Sequence, residues 1–233
     1  MTDLLQDTLF GPKLISTIGY DEQLMVRDIL HLHAKGNEIE LDPTYSIGNF
    51  YNKGLQKPKY IFDKFPQRDD VKQASSENLP LEKESISTIM FDPPFVIGGS
   101  TYSEAKEGSC IIGKRFMQFT SFDELKQMYS GSLSEFYRIL KDDGIVIFKC
   151  QDCISSSTQY FSHCWLMFEA EKIGFYVKDL FILLAKNRIS DGRIQQHARK
   201  FHSYYWVFEK RKNARPVHGR PPQDTAETGS TCV

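Results

Sequence analysis

The chain has 233 residues, 40% of them hydrophobic and 25% charged, which is the balance of a globular domain long enough to bury a core. No apolar run approaches the roughly 18 residues of a membrane span. Met1-Thr2-Asp3 does not open a signal peptide, which begins basic and continues apolar. The composition therefore excludes a membrane-spanning protein and predicts a cytoplasmic protein without a membrane partner.

The charges are distributed unevenly along the chain. The formal net charge is −1, yet ten Lys and Arg residues fall between Lys186 and Arg220, against two acids, Asp191 and Glu209. Such a basic segment can bind the phosphates of a nucleic acid. It can equally be the solvated surface of a hairpin followed by a charged tail.

The cysteines raise the question of a metal site. Five cysteines in this length do not indicate a disulfide scaffold. Cys150 and Cys153 form a Cys-x-x-Cys pair, and His163 and Cys164 follow, so a zinc site has to be considered. No second pair of this kind and no spaced pair of histidines completes a set of four ligands. We therefore interpret the cysteines as packed thiols and predict no metal.

The first half of the chain predicts one helix and four short strands. The helix is expected over residues 21–35, where Asp21 can cap the N-terminus and Gly36 can end the helix. The strands are expected at residues 38–41, 59–62, 71–74 and 86–91. The last of these is almost entirely apolar or β-branched, which is typical of a parallel sheet covered on both faces.

The second half predicts two helices and three strands. Ser121 and Glu124 form a capping box that opens a helix ending near residue 140, and a second helix is expected over 158–172. Strands are expected at residues 145–148, 176–184 and 204–209. The alternation of strands and helices predicts an α/β fold with a mainly parallel sheet, and the last two strands predict a terminal antiparallel hairpin.

Composition divides the chain into three segments. Residues 15–212 carry the regular pattern and form the predicted domain, preceded by an extension at 1–14. Residues 213–233 are rich in Pro, Gly, Thr and Ser and predict a disordered tail. Within the domain, residues 96–120 lack periodicity and contain four glycines, which is typical of a binding loop or of disorder.

The strongest chemical signal is Asp92-Pro93-Pro94-Phe95, directly after the strand at 86–91. The exocyclic amine of a nucleobase is a weak nucleophile because its lone pair is delocalised into the ring. Two acceptors aimed at its N–H groups free that lone pair, and the Asp92 carboxylate and the Pro93 carbonyl are such acceptors. The prolines restrict the backbone of this site, and Phe95 offers a face for base stacking. A proline-rich end of a buried strand is the alternative interpretation.

This motif resembles that of the S-adenosylmethionine-dependent amino-methyltransferases of nucleic acids, in which Asp, Asn or Ser precedes Pro-Pro and an aromatic residue. The resemblance covers about residues 15–212 and is strongest to small adenine- or cytosine-specific DNA methyltransferases. It implies a Rossmann-like methyltransferase fold, S-adenosyl-L-methionine as the cofactor and a nucleic acid as the partner. The implied catalytic residues are Asp92, Pro93, Pro94 and Phe95.

The resemblance also predicts a cofactor site at the ends of the first three sheet strands. Where family members carry several small residues after the first strand, this chain has only Gly48. Asp42 ends that strand, and Asp63 follows 21 residues later, the spacing that suits a ribose-binding acid. The predicted cofactor-binding residues are Asp42, Thr44, Ser46, Gly48, Asp63 and Ser75. As alternatives, Asp42 could begin a turn and Asp63 could face solvent.

Two further segments are candidates for substrate binding. Lys149 follows the strand at 145–148, and residues 187–202 connect the last two strands with many Arg, Lys and Gln side chains. Gln and Arg can recognise base edges, whereas Arg and Lys bind phosphates. The predicted substrate-binding residues are Lys149, Arg193, Gln196, His197, Arg199 and Lys200. A capping role and a solvated hairpin loop are the alternatives.

Together these features predict an enzyme that methylates N6 of adenine in DNA. An Asp at the first position of the motif is commoner among the adenine enzymes that the chain resembles, and DNA is preferred over RNA by analogy. The alternatives are an N4-cytosine DNA methyltransferase, an RNA or protein-amide methyltransferase, and a catalytically silent methyltransferase-like binding subunit. The sequence leaves the target sequence and the oligomeric state open.

Overall fold

The protein is represented by a computed structural model that describes residues 14–97, 119–186 and 197–212. The predicted tail, nearly all of the predicted N-terminal extension and most of the segment at 96–120 lie outside these ranges. Within them, no helix is both long enough and apolar enough to cross a membrane.

In the described ranges, eight strands form one sheet and two more form a separate hairpin. The strands are β1 (Ile18–Gly19), β2 (Leu41–Asp42), β3 (Tyr60–Asp63), β4 (Lys72–Gln73), β5 (Ile86–Phe91), β6 (Leu140–Cys150), β7 (Cys153–Ser155), β8 (Thr158–Tyr160), β9 (Phe175–Leu184) and β10 (His202–Lys210). The sheet order is β1-β9-β10-β6-β5-β2-β3-β4. Strand β10 is antiparallel to β9 and β6, and the other neighbours are parallel. The predicted mainly parallel sheet with a terminal antiparallel hairpin is confirmed.

Among the residues that the structure describes, three α-helices pack on the sheet. They are α1 (Glu22–His33), α2 (Phe122–Ile139) and α3 (Ser162–Ile173). The Asp21 side chain accepts a hydrogen bond from the backbone N–H of Leu24 at 3.0 Å, and the Ser121 hydroxyl accepts one from Glu124 at 3.2 Å. Both predicted N-caps therefore satisfy a donor that the first helical turn leaves unpaired.

Strand β6 shows how both faces of the sheet are buried. Ile145 and Ile147 belong to the core cluster that contains the apolar face of α1, whereas Val146 and Phe148 belong to the cluster beneath α2 and α3. All four side chains are buried, and each contributes about 1.5–3 kcal/mol by leaving water. A strand that is apolar on both faces is stable only with cover on both sides, which the helices provide.

Some boundaries differ from the prediction. The helix predicted from residue 158 begins at Ser162, because residues 158–160 pair as β8 with β7. The turn of this hairpin places Ser156 and Ser157 at φ of 48° and 63°, in the left-handed region that an α-helix does not contain. Strand β1 has no predicted counterpart, since two residues are too few to show a pattern.

The parallel strands bring their carboxyl ends to one edge of the sheet. From β2 the chain runs outward through β3 and β4, then returns to β5 on the other side of β2. In open α/β sheets this reversal of strand order creates a crevice that binds ligands. Asp42 ends β2, Asp63 ends β3 and Asp92 follows β5, so three predicted site residues lie along this edge.

Candidate active site

The proline motif leaves the sheet at the carboxyl end of β5. The backbone N–H of Asp92 donates to Oγ1 of Thr44 at 3.0 Å, which ties the motif to the loop after β2. The carbonyl of Pro94 accepts a hydrogen bond from the Tyr129 hydroxyl of α2 at 3.1 Å. No donor from the described part of the chain contacts the Pro93 carbonyl. Asp92 lines the cleft at this edge, whereas Pro93 is buried and is not part of the cleft lining.

The Asp92 carboxylate belongs to a network of charged groups. Nζ of Lys149 in β6 donates to Oδ2 of Asp92 at 3.0 Å and to Oε1 of Glu22 in α1 at 2.8 Å. The hydroxyl of Tyr205 in β10 donates to the same oxygen of Glu22. The side chain of Asp92 is 34% exposed and that of Lys149 only 14%. The carboxylate is thus accessible from outside, whereas the ammonium group is largely enclosed.

Opposite charges counter the effect of burial on the pKa values in this network. Burial raises the pKa of Asp92, and the positive charge of Lys149 opposes that rise. Burial also disfavours the ammonium of Lys149, but the charges of Asp92 and Glu22 outweigh burial and hold its pKa above the usual value. The pKa of Glu22 lies below its usual value because the contact with Lys149 outweighs burial. For Lys149 and Glu22 burial is the largest single influence on the pKa, but the charge and hydrogen-bond contacts within the network together outweigh it.

The Asp42 carboxylate accepts hydrogen bonds from the segment that follows β2. Its Oδ1 accepts hydrogen bonds from the backbone N–H and the hydroxyl of Thr44 at 2.7 and 3.1 Å, and its Oδ2 accepts one from the Tyr51 hydroxyl at 2.7 Å. Burial raises the pKa of Asp42 to about 7, against the effect of these hydrogen bonds. Because Thr44 in turn accepts from the Asp92 N–H, Asp42 supports the motif through Thr44.

A cleft that is partly open to solvent lies between these loops and the N-terminal part of α2. Six predicted site residues line it: Thr44, Ser46, Asp63, Ser75, Asp92 and Pro94. The structure therefore brings these six residues to one cavity, although they come from four separate parts of the chain, whereas Asp42, Pro93 and Phe95 are not part of its lining.

The lining of the cleft fits a cofactor that contains a nucleoside. Asp63 accepts hydrogen bonds from the backbone N–H groups of Ser46 at 2.9 Å and Phe65 at 2.8 Å, and a carboxylate has further lone pairs for ribose hydroxyls. The Phe65 side chain is 55% exposed and offers an uncovered aromatic face beside the cleft. The Ser75 hydroxyl donates to Glu77 at 3.3 Å, so this polar segment is ordered at the rim.

Gly48 does not line this cleft. The local backbone and the neighbouring Tyr45 ring explain why this position is a glycine. Its φ is 79°, and a Cβ there would lie 2.6 Å from the hydroxyl oxygen of Tyr45. Gly48 precedes the 3₁₀ helix Asn49–Tyr51, which delivers the Tyr51 hydroxyl to Asp42. A side chain at position 48 would both strain the backbone and displace a ring.

The predicted substrate-binding segment enters the described structure shortly before β10. His197 and Arg199 are exposed, and Lys200 is half-buried. Nε2 of Gln151, just after β6, donates to the carbonyls of Lys200 at 3.3 Å and of His202 at 2.7 Å. Since β10 is antiparallel to β6, this segment lies at the same edge of the sheet as Lys149. The predicted residues outside the described ranges are Arg193 and Gln196.

Three residues of the site are absent from the sequence prediction. Glu22, Tyr51 and Tyr205 each contact a predicted site residue or its partner. In sequence, Glu22 is an ordinary acid in a first helical turn, and the tyrosines are indistinguishable from core aromatics. No local signal marks them, because their partners are distant in the chain.

The Cys-x-x-Cys segment contributes packing and a separate polar contact. Cys150 is a buried free thiol, and Cys153 is a half-buried one. His163 Nδ1 lies 2.7 Å from Oδ1 of the buried Asp152, and its ring stacks on Tyr204 with centroids 4.1 Å apart. Among the described residues, no group of three or more His, Cys, Asp or Glu side chains is arranged to hold a metal ion.

A profile of the N6/N4 DNA methylases, described as DNA methylase, matches residues 86–229, which is more than half of the chain. The chain belongs to the N6/N4 DNA methylase family. This membership confirms the resemblance to the S-adenosylmethionine-dependent amino-methyltransferases of nucleic acids. No curated protein sequence matches this chain.

Solved structures of methylases are similar to parts of this chain. A protein from Thermus thermophilus, described as a putative DNA modification methylase and complexed with S-adenosyl-L-methionine, is 12% identical with a TM-score of 0.43. The match covers 64% of this chain and 57% of that one. The PvuII DNA methyltransferase, which is cytosine-N4-specific, is 13% identical with a TM-score of 0.44, covering 59% and 48%. This chain therefore spans about half the length of these two relatives.

Proposed function

We propose that the protein transfers the methyl group of S-adenosyl-L-methionine to N6 of adenine in DNA. The observation that carries this proposal is the accessible Asp92 carboxylate, followed by two prolines, in a cleft that predicted cofactor-binding residues also line. The family match to DNA methylases supports the reaction class.

The proposed chemistry depends on two acceptors for one amine. When bound, S-adenosyl-L-methionine supplies an electrophilic methyl group. The Asp92 carboxylate accepts one N–H of the target amine and the Pro93 carbonyl accepts the other, which turns the nitrogen lone pair out of the ring plane. Preorganised acceptors of this kind contribute without reorganisation at the moment of reaction. The bond between the methyl carbon and the sulfonium sulfur would break as the nitrogen bonds to that carbon, and S-adenosyl-L-homocysteine would leave. Asp92 is placed to accept the proton that the amine loses.

The proposed cofactor site follows from the lining of the cleft. Asp63 would hold the ribose hydroxyls, and Ser46 and Ser75 would flank the nucleoside. Phe65 offers its exposed ring to the adenine. Asp42 is proposed to support the loop that lines the cleft, because its oxygens already accept three hydrogen bonds from Thr44 and Tyr51.

The proposed nucleic-acid contacts lie on the neighbouring part of the edge. His197, Arg199 and Lys200, with Arg193 and Gln196, are proposed to bind phosphates or base edges beside the active site. Duplex DNA would have to release the target base from the stack, which costs a few kcal/mol. Phe95, half-buried after the prolines, is proposed to stack on the extruded base.

The choice of adenine rests on the Asp at the start of the motif, and cytosine N4 is the alternative amine. Both amines offer two N–H groups to the same acceptors, so the mechanism serves either base. RNA and protein amides present comparable amines and are further alternatives.

The test identifies the methylated product. The purified protein is incubated with isotopically labelled S-adenosyl-L-methionine and unmethylated DNA, RNA or protein, and the digested products are analysed by mass spectrometry. N6-methyladenine from DNA, absent with Asp92→Ala, supports the proposal. N4-methylcytosine would replace the base assignment, and label only in RNA or protein would refute DNA as substrate. Cofactor binding without any transfer would favour the silent binding subunit.

A further inference from the structure

Lys149 is placed between two carboxylates that come from different elements. Its ammonium contacts Oδ2 of Asp92 at 3.0 Å and Oε1 of Glu22 at 2.8 Å, and its side chain is only 14% exposed. Nζ also lies 5.7 Å from the centroid of the Tyr205 ring, whose hydroxyl donates to Glu22. A lysine held on three sides is poorly placed to reach a nucleic acid, which was one of its expected roles.

The contact with Lys149 differentiates the two oxygens of Asp92. Oδ2 is occupied by the ammonium, whereas Oδ1 receives no hydrogen bond from the described part of the chain. A carboxylate clamped at one oxygen has a fixed plane, so the direction of the free oxygen is fixed as well. The free oxygen is the one available to accept an N–H group in the cleft.

We propose that Lys149 is a positioning residue that fixes Oδ2 of Asp92 and presents Oδ1 to the target amine, while Glu22 limits how strongly Lys149 binds Asp92. This inference rests on the proposed function, because it assigns roles toward the same amine. It also gives the network a second role, which is to favour the ionised form of Asp92. A protonated Asp92 would donate a hydrogen bond where the reaction needs an acceptor.

The protonation of Asp92 depends on charges from every element around it. The titratable groups that face it are Lys149 of β6, Glu22 of α1, Asp42 of β2, Tyr51 of the 3₁₀ helix, Tyr129 of α2 and Tyr205 of β10. Burial raises the pKa of Asp92, Lys149 lowers it and Glu22 raises it. Removal of Lys149 therefore moves the pKa of Asp92 up, and removal of the Glu22 charge moves it down.

Activity that needs ionised Asp92 falls as the pH drops through the pKa of that group. In Lys149→Met we expect the acidic limb of the kcat profile to move to a pH about 1 to 3 higher, the effect of losing one close opposite charge. In Glu22→Gln we expect the limb to move to lower pH. Lys149→Arg keeps the charge and should leave the limb within about half a pH unit of the wild-type position.

The experiment compares pH profiles of kcat on the DNA substrate for these variants and for a matched control. Lys178→Met removes a half-buried lysine that pairs with Glu209 on the sheet, away from the cleft. It should leave the acidic limb unchanged. Opposite movements in Lys149→Met and Glu22→Gln support the proposal. Movements in the same direction, or an unmoved limb in Glu22→Gln, overturn it, and the Glu22 variant decides the question if Lys149→Met does not fold.

A second measurement separates this inference from the proposed function. The pKa of Asp92 is measured without turnover by carboxyl ¹³C NMR on aspartate-labelled protein, with Asp92→Asn used to assign the signal. Opposite shifts in the Lys149 and Glu22 variants support the network even if no DNA is methylated. Unchanged titration of Asp92 in Glu22→Gln overturns the network even if the wild-type protein methylates adenine.

Discussion

Asp42→Asn removes a buried charge while keeping the size of the side chain. The Asn carbonyl can accept the two hydrogen bonds that Thr44 donates to Oδ1, and its amide can donate to the Tyr51 hydroxyl. The packing around position 42 is thus retained. What changes is protonation at position 42: the buried Asp42, which is only 4% exposed, can gain or lose a proton, whereas Asn cannot.

The expected effect on stability follows from the pKa of Asp42. Burial raises that pKa from 3.8 to about 7. The unfolded chain then releases this proton near pH 4, whereas the folded protein retains it until about pH 7. The wild-type free energy of unfolding therefore falls between these pH values. At about 1.36 kcal/mol for each pH unit, the penalty reaches on the order of 4 kcal/mol above pH 7.

Urea denaturation of the wild type and Asp42→Asn at pH 4 to 8.5 measures this difference. We expect similar stability near pH 4 and an advantage of Asp42→Asn that grows to a few kcal/mol at pH 8. Tyr51→Phe is the matched control: it removes a hydrogen bond that lowers the pKa of Asp42, so its stability should keep falling to a higher pH. Parallel curves for the wild type and Asp42→Asn would refute the reasoning.

Three further changes test other parts of the site. Gly48→Ala should cost about 1–3 kcal/mol in urea denaturation, because its Cβ would lie 2.6 Å from the Tyr45 hydroxyl at a φ of 79°; an unchanged midpoint would contradict this. Asp63→Ala should weaken S-adenosyl-L-methionine binding by about 1.5–3 kcal/mol in titration calorimetry, through lost hydrogen bonds to a charged group; an equal dissociation constant would remove Asp63 from the cofactor site. Tyr129→Phe should lower stability by about 0.5–1.5 kcal/mol, because the Pro94 carbonyl loses its donor; no loss in thermal or urea unfolding would show that the bond contributes nothing.

The local sequence pattern was sufficient to predict an element where that element is short and buried and where a residue that stops it follows directly. The strand predicted at residues 86–91 has the same bounds in the structure, because a buried parallel strand is an apolar run and two prolines stop it. Asp63 ends its strand one residue beyond the predicted range. Both N-caps, at Asp21 and Ser121, follow from the same kind of short-range signal.

Local pattern failed where pairing with a partner strand decides the structure. Residues 158–160 carry no helix breaker, and the sequence predicts that they begin a helix. They form a strand because residues 153–155 lie opposite them across a two-residue turn. The pairing lies within a few residues, but the turn uses two serines with positive φ, which is not the usual signature of a hairpin.

The sequence by itself determined the chemistry of the site: it places Asp92, with its prolines, at the carboxyl end of a buried strand, where parallel strands bind ligands. Only the tertiary structure decided the state of that carboxylate. Glu22 meets Lys149 across 127 residues and Tyr205 across 183, and neither contact has a signature in the spacing of residues. Electrostatic interactions depend on distance through space and on burial. The fold therefore determines which oxygen of Asp92 the Lys149 ammonium contacts and how readily the group is protonated.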